Sequence, residues 1–485
     1  MFHLDWLNNR MLIAGIATLH VIINHGLAVG FIPFITWLEQ KGLQKSSNGQ
    51  ITDPAWDQMV YRMMKVAFII TTTIGALTGV GIWFSASLIS PTSIGSLIRV
   101  FYWAWFTEWL VFVSEVVLIM IYFLTWKNSN SSLTAKIRHI RFGWFLSLAS
   151  WITMIIIVAI LGFMMDPGNW HSNPSLVNGF TNPLYIPQLF FRTPMAMLMA
   201  GVFGMLLITL FTKHGTPMRI YAVKASAKWI ILWVPLTLFG AVAYYKAIPE
   251  GMTSNMSTAV GTIDFAQYYD LLKYFIIGGV SLSVVVAVVG IIRTKMIRPY
   301  MLIAPVLFVF AFLGFFERVR EFVRKPYVIG QYMYSNLLLE EDYPVYRQDG
   351  ILKHATYTSV TEITEDNKLQ AGKDVFMMAC SRCHTGQGVN SVVDVFKRMT
   401  GTKDALNVDV MKAYMPNMHT GRNYMPPFPG NEAEAEALAV YIRYLQETGN
   451  TIEGAQTEGV TINPAYSVNA IIDKQHKSDR NENIK

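Results

Sequence analysis

Long apolar runs separated by short polar segments make up the first two thirds of the chain. A helix needs about 20 predominantly apolar residues to cross the hydrocarbon core of a bilayer. Eight runs reach this length, which predicts about eight transmembrane helices. They lie near residues 11–37, 62–88, 98–126, 142–165, 187–212, 228–248, 268–292 and 299–321.

The last third of the chain is more polar and divides into three parts. Residues 331–365 are mixed in character, and we expect them to form a tether. Residues 366–450 predict a small helical domain, which closes with an amphipathic helix over 432–446. Residues 451–485 are polar and are expected to be peripheral. We therefore predict an all-α protein with a polytopic membrane helix bundle over 1–330, followed by the tether, the small domain and the tail.

Composition supports a membrane location and gives no sign of nucleic-acid binding. Hydrophobic residues make up 52% of the chain and charged residues 15%, and the mean hydropathy of +0.34 lies outside the usual range of soluble proteins. The formal net charge of +7 comes mainly from the loops between the predicted helices. No soluble basic patch interleaved with aromatic residues occurs, so we expect membrane lipid, and no nucleic acid, among the partners.

The distribution of Lys and Arg among the loops predicts the orientation of the helices. The loops after the third, fifth and seventh runs are basic, whereas residues 166–186 and 249–267 contain no Lys or Arg. Because cytoplasmic loops carry the excess of positive charge, we expect the basic loops in the cytoplasm and both termini outside. The first run is too long for the apolar region of a signal peptide, so the first helix is expected to remain in the protein. The loop after the third run contains Lys127, Lys136, Arg138 and Arg141.

The strongest chemical signal is the motif Cys380-Ser381-Arg382-Cys383-His384. Two cysteines separated by two residues and followed by a histidine are the attachment signature of a c-type haem. The thiols bind the haem covalently, and the histidine ligates its iron. The chain contains only 2 cysteines, so none is left for a disulfide. A zinc site would need more thiol or imidazole ligands than this segment contains.

The same region supplies a candidate for the opposite iron ligand, Met425, in the segment Tyr-Met-Pro-Pro-Phe-Pro-Gly. Ligation by Met and His raises the reduction potential of a haem and suits electron transfer. We therefore predict that residues 366–450 form a small C-terminal cytochrome c domain with His384 and Met425 as iron ligands. Cytochrome c maturation takes place on the outer face of a bacterial membrane, which agrees with the orientation derived from the loop charges.

Ionisable residues inside transmembrane helices are costly and mark candidate functional sites. His20 lies in the middle of the first helix and is a candidate iron ligand; a histidine hydrogen-bonded within the bundle is the alternative. His25 lies about 140° further around this helix, so we expect it to face elsewhere and to be structural. Glu108 and Glu115 share one face of the third helix and form a candidate proton relay, with two structural carboxyls as the alternative.

Two further helix ends carry candidate residues. Glu317 and Glu321 share a face of the eighth helix, and Arg324 follows them with a guanidinium that matches a haem propionate. The alternative is a charged helix end that extends to the membrane interface. Apolar residues surround Arg192 near the outer end of the fifth helix, which predicts that its side chain is buried. We expect either a carboxylate or a propionate as its partner.

These residues resemble subunit I of the cytochrome bd oxidases over roughly residues 5–335. In that family a histidine of the first helix ligates a high-spin haem, and His20 matches it. Two glutamates of the third helix lead protons to the oxygen-reducing haem; Glu115 matches the deeper one, and Glu108 is displaced by one residue from the family's spacing. A haem-ligating glutamate precedes an Arg-x-Pro-aromatic signature, and Glu321 matches it. The resemblance implies haem b, haem d or both in the bundle.

The chain also departs from that family. The family ligates a low-spin haem through a histidine of the fifth helix, where this chain has Arg192, and through a methionine of the seventh helix, where residues 274–277 contain none. A guanidinium does not ligate iron, so we expect the low-spin haem b to be missing. The long quinol-binding loop is reduced to residues 249–267, and the ninth helix is replaced by a domain that resembles class I cytochromes c. We interpret these changes together as a replacement of quinol by an outside electron donor.

The sequence thus predicts the haem-bearing subunit of a cytochrome bd-like respiratory oxidoreductase in a bacterial cytoplasmic membrane, with the cytochrome c domain on the periplasmic side. A periplasmic donor would reduce haem c, and electrons would pass to haems ligated by His20 and Glu321. There O2 would be reduced to water, with protons supplied past Glu115 and Glu108, which would make the protein a terminal oxidase. The resemblance also implies a second membrane subunit similar to bd subunit II, with further subunits open.

Two alternative functions remain open at this point. The protein could be an electron-transfer subunit that links a periplasmic partner to the quinone pool without O2 chemistry, or a membrane anchor for a cytochrome c domain. Binding of CO to reduced membrane haems would distinguish an oxidase from an electron-transfer subunit. A haem analysis that detects haem c and no haem b would favour the anchor.

Overall fold

The computed structural model describes residues 3–44, 51–260, 269–356, 358, 360–401 and 406–449. Within these ranges the protein is mainly helical, and its described parts fall into two compact units. The first unit, here called the bundle, covers Gly15–Phe84 and Ile94–Arg324. The second, here called the outer unit, takes in the described residues of Met1–Ala14, Ser85–Ser93 and Lys325–Lys485. The tail predicted at 451–485 lies outside the described residues.

Long helices make up the part of the chain that was predicted to cross the membrane. They are α1 (Asn9–Ile23), α2 (Phe31–Gln44), α3 (Pro54–Ile70), α4 (Ala76–Ile89), α5 (Pro91–Ser129), α6 (Leu133–Met165), α7 (Leu176–Phe180), α8 (Tyr185–Phe211), α9 (Pro217–Ala247), α10 (Glu250–Thr253), α11 (Met256–Val260), α12 (Tyr269–Ile292) and α13 (Pro299–Val323). Short 3₁₀ turns follow α6 at Gly168–His171 and α12 at Thr294–Met296.

The predicted membrane bundle is confirmed. Among the described residues, 7 helical spans are long and apolar enough to cross a membrane. The first of them, Asn9–Leu43, joins α1 to α2, and the second, Pro54–Ile89, joins α3 to α4. The remaining predicted span, near 268–292, corresponds to α12 (Tyr269–Ile292). The apolar runs of the sequence therefore locate all the long helices.

Local sequence signals explain where several of these helices begin. Asp53 caps α3 by accepting hydrogen bonds from the N–H groups of Ala55 and Trp56, and a proline follows it at the first helical position. Ser132 caps α6 and Thr216 caps α9 in the same manner. These side chains satisfy N–H groups that have no partner inside the helix, so the polar turn before each apolar run fixes its start.

Both of the first two spans contain a π-helical segment, at Asn24–Val29 and at Thr71–Gly75. A π-helical turn widens the helix and leaves backbone groups without their usual partners, and such turns are frequent at functional sites. In the second span, the hydroxyls of Thr71, Thr72 and Thr73 bond to the carbonyl oxygens of the preceding turn. The threonine run therefore supports the irregular turn locally.

The outer unit contains a short antiparallel pair of strands and a small helical domain. Its elements are β1 (Tyr327–Ile329), β2 (Met333–Tyr334), α14 (Tyr343–Asp349), α15 (Lys368–Ala379), α16 (Val392–Thr400), α17 (Val408–Tyr414), α18 (Met418–Gly421) and α19 (Glu432–Thr448). Short 3₁₀ turns lie at Glu340–Asp342, Leu352–His354 and Met415–Asn417.

The helical domain is built on the crossing of α15 and α19. A Cβ at Gly372 would overlap the carbonyl oxygen of Ala437, so only glycine permits this close approach. Phe376 and Leu438 pack into the same buried cluster. The amphipathic helix predicted over 432–446 is therefore present as α19, with its apolar side in the core.

The stretch predicted as a tether contributes to this core. Ile351, Leu352 and Val360 are buried with Phe376 in the same apolar cluster. The backbone N–H groups of Ile351 and Leu352 donate to the carboxylate of Glu434 at 2.9 and 2.8 Å. This part of residues 331–365 is thus packed against the helical domain, and its mixed composition did not indicate that burial.

Candidate functional site

The Cys380–His384 motif begins directly after α15 and folds into a tight turn. The N–H groups of Cys383 and His384 both donate to the carbonyl oxygen of Cys380, at 3.1 and 3.0 Å. Neither cysteine forms a disulfide. Burial raises the pKa of the Cys380 thiol to about 12, with a smaller contribution from Cys383, so this thiol is neutral. Both thiols are free for covalent attachment of a haem.

The ring of His384 is oriented as an iron ligand requires. Its Nδ1 lies 3.1 Å from the carbonyl oxygen of Asn390, which can only accept, so Nδ1 carries the proton and Nε2 carries a lone pair. Burial lowers the pKa of His384 to about 4, which keeps the ring neutral. The Asn390 backbone has a φ of 59°, and the side-chain amide of Asn390 donates to the carbonyl of Cys383 at 2.7 Å. These donor atoms fit a haem c.

Met425 lies in a loop that is held on both sides. Its N–H donates to the carbonyl of Arg422 at 2.8 Å, and Nδ1 of His419 donates to its carbonyl oxygen at 2.5 Å. Two prolines follow, and Phe428 is buried with 3% exposure. A loop anchored in this manner suits a thioether ligand, and the role of Met425 as the second iron ligand stays a prediction.

The bundle contains a small, partly open cavity of about 40 Å³ beside His20. Both π-helical segments line it, through Asn24 of the first span and Thr71 and Thr72 of the second. The side chain of Glu115 lines it from α5. The structure therefore brings together two of the residues that the sequence singled out separately, His20 and Glu115.

His20 offers one ring nitrogen to this region. Its Nδ1 lies 3.2 Å from the carbonyl oxygen of Gly75 and 3.2 Å from the hydroxyl of Thr78. The carbonyl can only accept, so the proton belongs on Nδ1 and the lone pair on Nε2. Within the described part of the chain, Nε2 makes no hydrogen bond. This is the tautomer that a histidine ligand to iron adopts.

Glu115 is buried, with 8% exposure, and Ser150 of α6 donates a hydrogen bond to its carboxyl at 2.6 Å. Glu108 lies two turns earlier in α5 and is half-buried. Among the described residues that line the cavity, Glu115 is present and Glu108 is not. The predicted relay therefore reaches the cavity through Glu115, and the role of both carboxyls stays a prediction.

A buried ion cluster surrounds Arg192, which is 0% exposed in α8. Its guanidinium lies 2.5 Å from a carboxylate oxygen of Glu317 and 3.2 Å from Nε2 of His25. Arg320 donates to the second oxygen of Glu317 at 3.1 Å. Of the two partners expected for Arg192, the structure has the carboxylate. His25 also bonds the carbonyl of Val21 through Nδ1 at 3.0 Å, so both its nitrogens are engaged, as expected for a structural histidine.

Glu321 and Arg324 pair with each other at the end of α13. Their closest oxygen and nitrogen atoms are 2.5 Å apart, and Arg320 lies 3.8 Å from the second oxygen of Glu321. The Glu321 side chain is 27% exposed. Within the described residues, Glu321 does not line the cavity that contains His20. His20 and Glu321 therefore do not share this cavity, and the role of each as a haem ligand stays a prediction.

The sequence did not indicate a second buried ion cluster near the connection of α5 and α6. Lys136, assigned above to an exposed basic loop, is 0% exposed and lies 2.7 Å from Glu39 and 2.8 Å from Asp57. The Nδ1 of His139 is 2.8 Å from the same Glu39 oxygen, and its Nε2 is 2.9 Å from the carbonyl of Tyr122. The sequence feature that could have indicated this cluster is the spacing of Lys136 and His139, which places both on one face of α6 in its first turns.

Comparisons with known proteins give two findings on the identity of these parts. Residues 367–442 match the family model described as cytochrome c oxidase, cbb3-type, subunit III. The fold is similar to that in "The structure of bd oxidase from Geobacillus thermodenitrificans", with a TM-score of 0.54 and 15% identity over 67% of this chain and 89% of that chain. A search of the curated proteins finds no match.

These findings confirm the two parts that the sequence predicted. The C-terminal region is a cytochrome c domain, which implies a haem c at its CxxCH motif. The membrane part is a helical bundle with the fold of a bd oxidase. The chain is therefore a multi-pass membrane protein of electron transport in which a cytochrome c domain follows a bd-like bundle.

Proposed function

We propose that this protein is the haem-bearing subunit of a bd-type terminal oxidase that receives electrons through its own haem c and reduces O2. One observation supports this most. The chain that carries the CxxCH domain also has a bundle cavity in which His20 and Glu115 meet. An imidazole with a free Nε2 and a buried carboxyl are the groups that a haem iron and a proton supply require.

The residues that would bind haem come from both units. The ligands would be Cys380, Cys383, His384 and Met425 in the cytochrome c domain, and His20 and Glu321 for haem of type b or d in the bundle. Bound haem carries single electrons, and a haem with an open axial position binds O2. Arg324 neutralises the carboxylate of Glu321 and would bind a haem propionate beside it.

Glu115 would deliver protons to the cavity. Its carboxyl lines the cavity and is held in place by the hydroxyl of Ser150. Glu108 lies on the same helical face, roughly 10 Å away along the axis. Direct proton transfer does not span this distance, so water would have to connect the two carboxyls.

The cluster around Arg192 supports an electron donor other than quinol. The resembling family has a haem-ligating histidine where this chain has Arg192, and here the guanidinium is paired with Glu317. The neighbouring His25 has no nitrogen left for iron. We therefore propose that the low-spin haem b and the quinol site are both missing, and that a periplasmic donor reduces haem c.

We also propose a location and a partner. The bundle would lie in a bacterial cytoplasmic membrane with the cytochrome c domain on the periplasmic side, beside a second membrane subunit similar to bd subunit II. The apolar surface of α5 supports this: Tyr102, Trp103, Trp109 and Leu124 are exposed by 57%, 65%, 56% and 65%. A surface of this kind faces lipid or another membrane subunit.

Carbon monoxide binding tests the proposed function. The purified protein, reduced with dithionite, should show a CO-induced spectral change at the membrane haems, and the haem c should stay unchanged because His384 and Met425 would both ligate its iron. Membrane haems that do not bind CO would point to electron transfer without O2 chemistry. A haem analysis with haem c alone would point to an anchor.

A further inference from the structure

A segment at the start of the chain is bound to the loop that follows the haem c motif. We call residues 3–8 the strap and residues 385–391 the proximal loop. The N–H of Gly386 donates to the carboxylate of Asp5 at 2.6 Å. The N–H of Val389 donates to the carbonyl of Trp6 at 3.3 Å. Strap and proximal loop both belong to the outer unit, although 381 residues separate Asp5 from Gly386.

The proximal loop has the shape that the strap requires. A Cβ at Gly388 would overlap the carbonyl oxygen of Asp5 and the backbone of Trp6. The backbone of Gly388 does not lie in the left-handed region, so its own conformation would accept alanine. The glycine is therefore needed at this position because the strap lies against it. The amide of Asn8 adds a third contact, to the carbonyl of Val389 at 3.4 Å.

The proximal loop in turn holds the iron ligand. The hydroxyl of Ser391 donates to the carbonyl oxygen of Gly386 at 2.6 Å. The hydroxyl of Thr385 donates to the carbonyl oxygen of Val389 at 3.1 Å. These bonds close the loop on itself. Asn390, inside the loop, accepts the bond from Nδ1 of His384. A chain of contacts therefore connects the strap, the closed loop and the ring of His384.

The strap is itself well anchored. Nε2 of His3 lies 3.4 Å from the carboxylate of Asp5, and its buried ring packs edge-on against Phe376 at 6.3 Å between centroids. Burial alone would raise the pKa of Asp5, but the bonds from His3 and from the N–H of Gly386 outweigh it and hold the pKa below its usual value. The Asp5 carboxylate is thus ionised and engaged at neutral pH.

We propose that the strap is a part of the haem c site and that Asp5 is a positioning residue for His384. The haem c site of this chain is then not contained in residues 366–450. Asp5 and Trp6 clamp the proximal loop, the loop fixes Asn390, and Asn390 fixes the ring of His384. The proposal rests on His384 as the proximal haem c ligand and is independent of the chemistry proposed for the bundle.

Three variants of the full-length protein test this role. Asp5→Ala removes the acceptor for the N–H of Gly386, whereas Asp5→Asn keeps an acceptor oxygen and should restore most of the contact. Gly388→Ala disturbs the same contact from the loop, because the added methyl group would displace the backbone of the strap. Val410→Ala is the control, because Val410 lies in α17 of the same unit, is 49% exposed and contacts neither the strap nor the proximal loop in the described residues.

Three readouts follow the path from the strap to the iron. Hydrogen exchange should be about tenfold faster at the Gly386 amide in Asp5→Ala, which removes its acceptor, and at the Gly386 and Val389 amides in Gly388→Ala, which displaces the strap. The midpoint potential of haem c should fall, since an opened loop admits water that stabilises the charged ferric state. The ferric electron paramagnetic resonance spectrum should show a second low-spin form from a reoriented His384. Asp5→Asn and Val410→Ala should stay close to the wild type in all three readouts.

The potential and the resonance spectrum decide the outcome. Wild-type values of both in Asp5→Ala and Gly388→Ala would overturn the proposal, even if amide exchange increased, because the strap would then be merely structural. Loss of covalent haem c in Asp5→Ala with retention in Asp5→Asn would support it in its strongest form. Failure of CO to bind the membrane haems would refute the oxidase proposal and leave these readouts unaffected.

Discussion

His20 and His25 lie five residues apart in the first membrane span, yet only His20 has a ring nitrogen available for iron. Gly75 and Thr78 bond Nδ1 of His20, and no described residue bonds its Nε2. His25 is bonded through one nitrogen to a carbonyl oxygen and through the other to Arg192. At the scale of single residues, the hydrogen-bond partners therefore decide which of two similar side chains can act as a ligand.

Replacement of His20 tests its role as a ligand. His20→Ala should remove one membrane haem per protein and leave the haem c spectrum unchanged, because the two sites share no ligand. Pyridine haemochrome analysis of the purified variant gives both amounts. His171→Ala, at an exposed position outside the long helices, is the control and should keep every haem. An unchanged haem content in His20→Ala would refute the assignment.

At the scale of helices, the cluster of Glu39, Asp57, Lys136 and His139 holds α2, α3 and α6 together. Both nitrogens of His139 face oxygen atoms, the carboxylate of Glu39 and the carbonyl of Tyr122. An imidazole ring can donate to two acceptors at once only when it carries two protons. Two positive charges, on Lys136 and His139, then balance two negative charges on the carboxylates. A buried cluster is stable only when its charges are compensated in this manner.

This charge balance predicts the effect of changing His139. His139→Gln leaves one uncompensated negative charge in a buried site, which should destabilise the protein by about 3–5 kcal/mol. The double change His139→Gln with Glu39→Gln restores neutrality and should recover much of that loss. Thermal unfolding in detergent, with Arg138→Gln at an exposed neighbouring position as the control, measures both.

The double variant distinguishes a charged His139 ring from a neutral one. If the ring were neutral, His139→Gln would conserve charge and cost little, and adding Glu39→Gln would bring no recovery. Equal unfolding temperatures for the wild type and the single variant would therefore contradict a charged His139.

At the scale of the whole molecule, the charges of the loops predict which connections face the cytoplasm. The residues predicted as a basic loop lie in the adjoining helix ends, Lys127 in α5 and Arg138 and Arg141 in α6, whereas residues 166–186, which follow α6, contain no Lys or Arg. Lys136 is buried in α6, but the other three basic residues keep these helix ends positively charged. The charge asymmetry therefore persists after the burial of Lys136 is taken into account.

Cysteine labelling tests this orientation without background, because the 2 native cysteines would both be bound to haem. In intact spheroplasts, a membrane-impermeant maleimide should label Asn173→Cys and not Ser131→Cys. Both positions are exposed, so both should react after the membrane is lysed. Labelling of Ser131→Cys alone in intact spheroplasts would reverse the proposed topology.

The sequence predicted the parts of the fold that depend on local properties. Apolar runs located the long helices, and the amphipathic pattern over 432–446 located α19. It did not predict the π-helical segments at Asn24–Val29 and Thr71–Gly75, which line the cavity. A π-helical turn has no distinct hydropathy pattern, since it changes the path of a helix that remains apolar on both sides.

The sequence by itself indicated a haem c and several membrane crossings, because the CxxCH signature lies in one short motif at Cys380–His384 and hydropathy is a property of each run alone. Only the tertiary structure decided that Arg192 pairs with Glu317, that Lys136 is buried, and that a strap at the start of the chain clamps the proximal loop. Each of these depends on contacts between residues far apart in the chain, and the partner of a buried charge is fixed by which helices pack together.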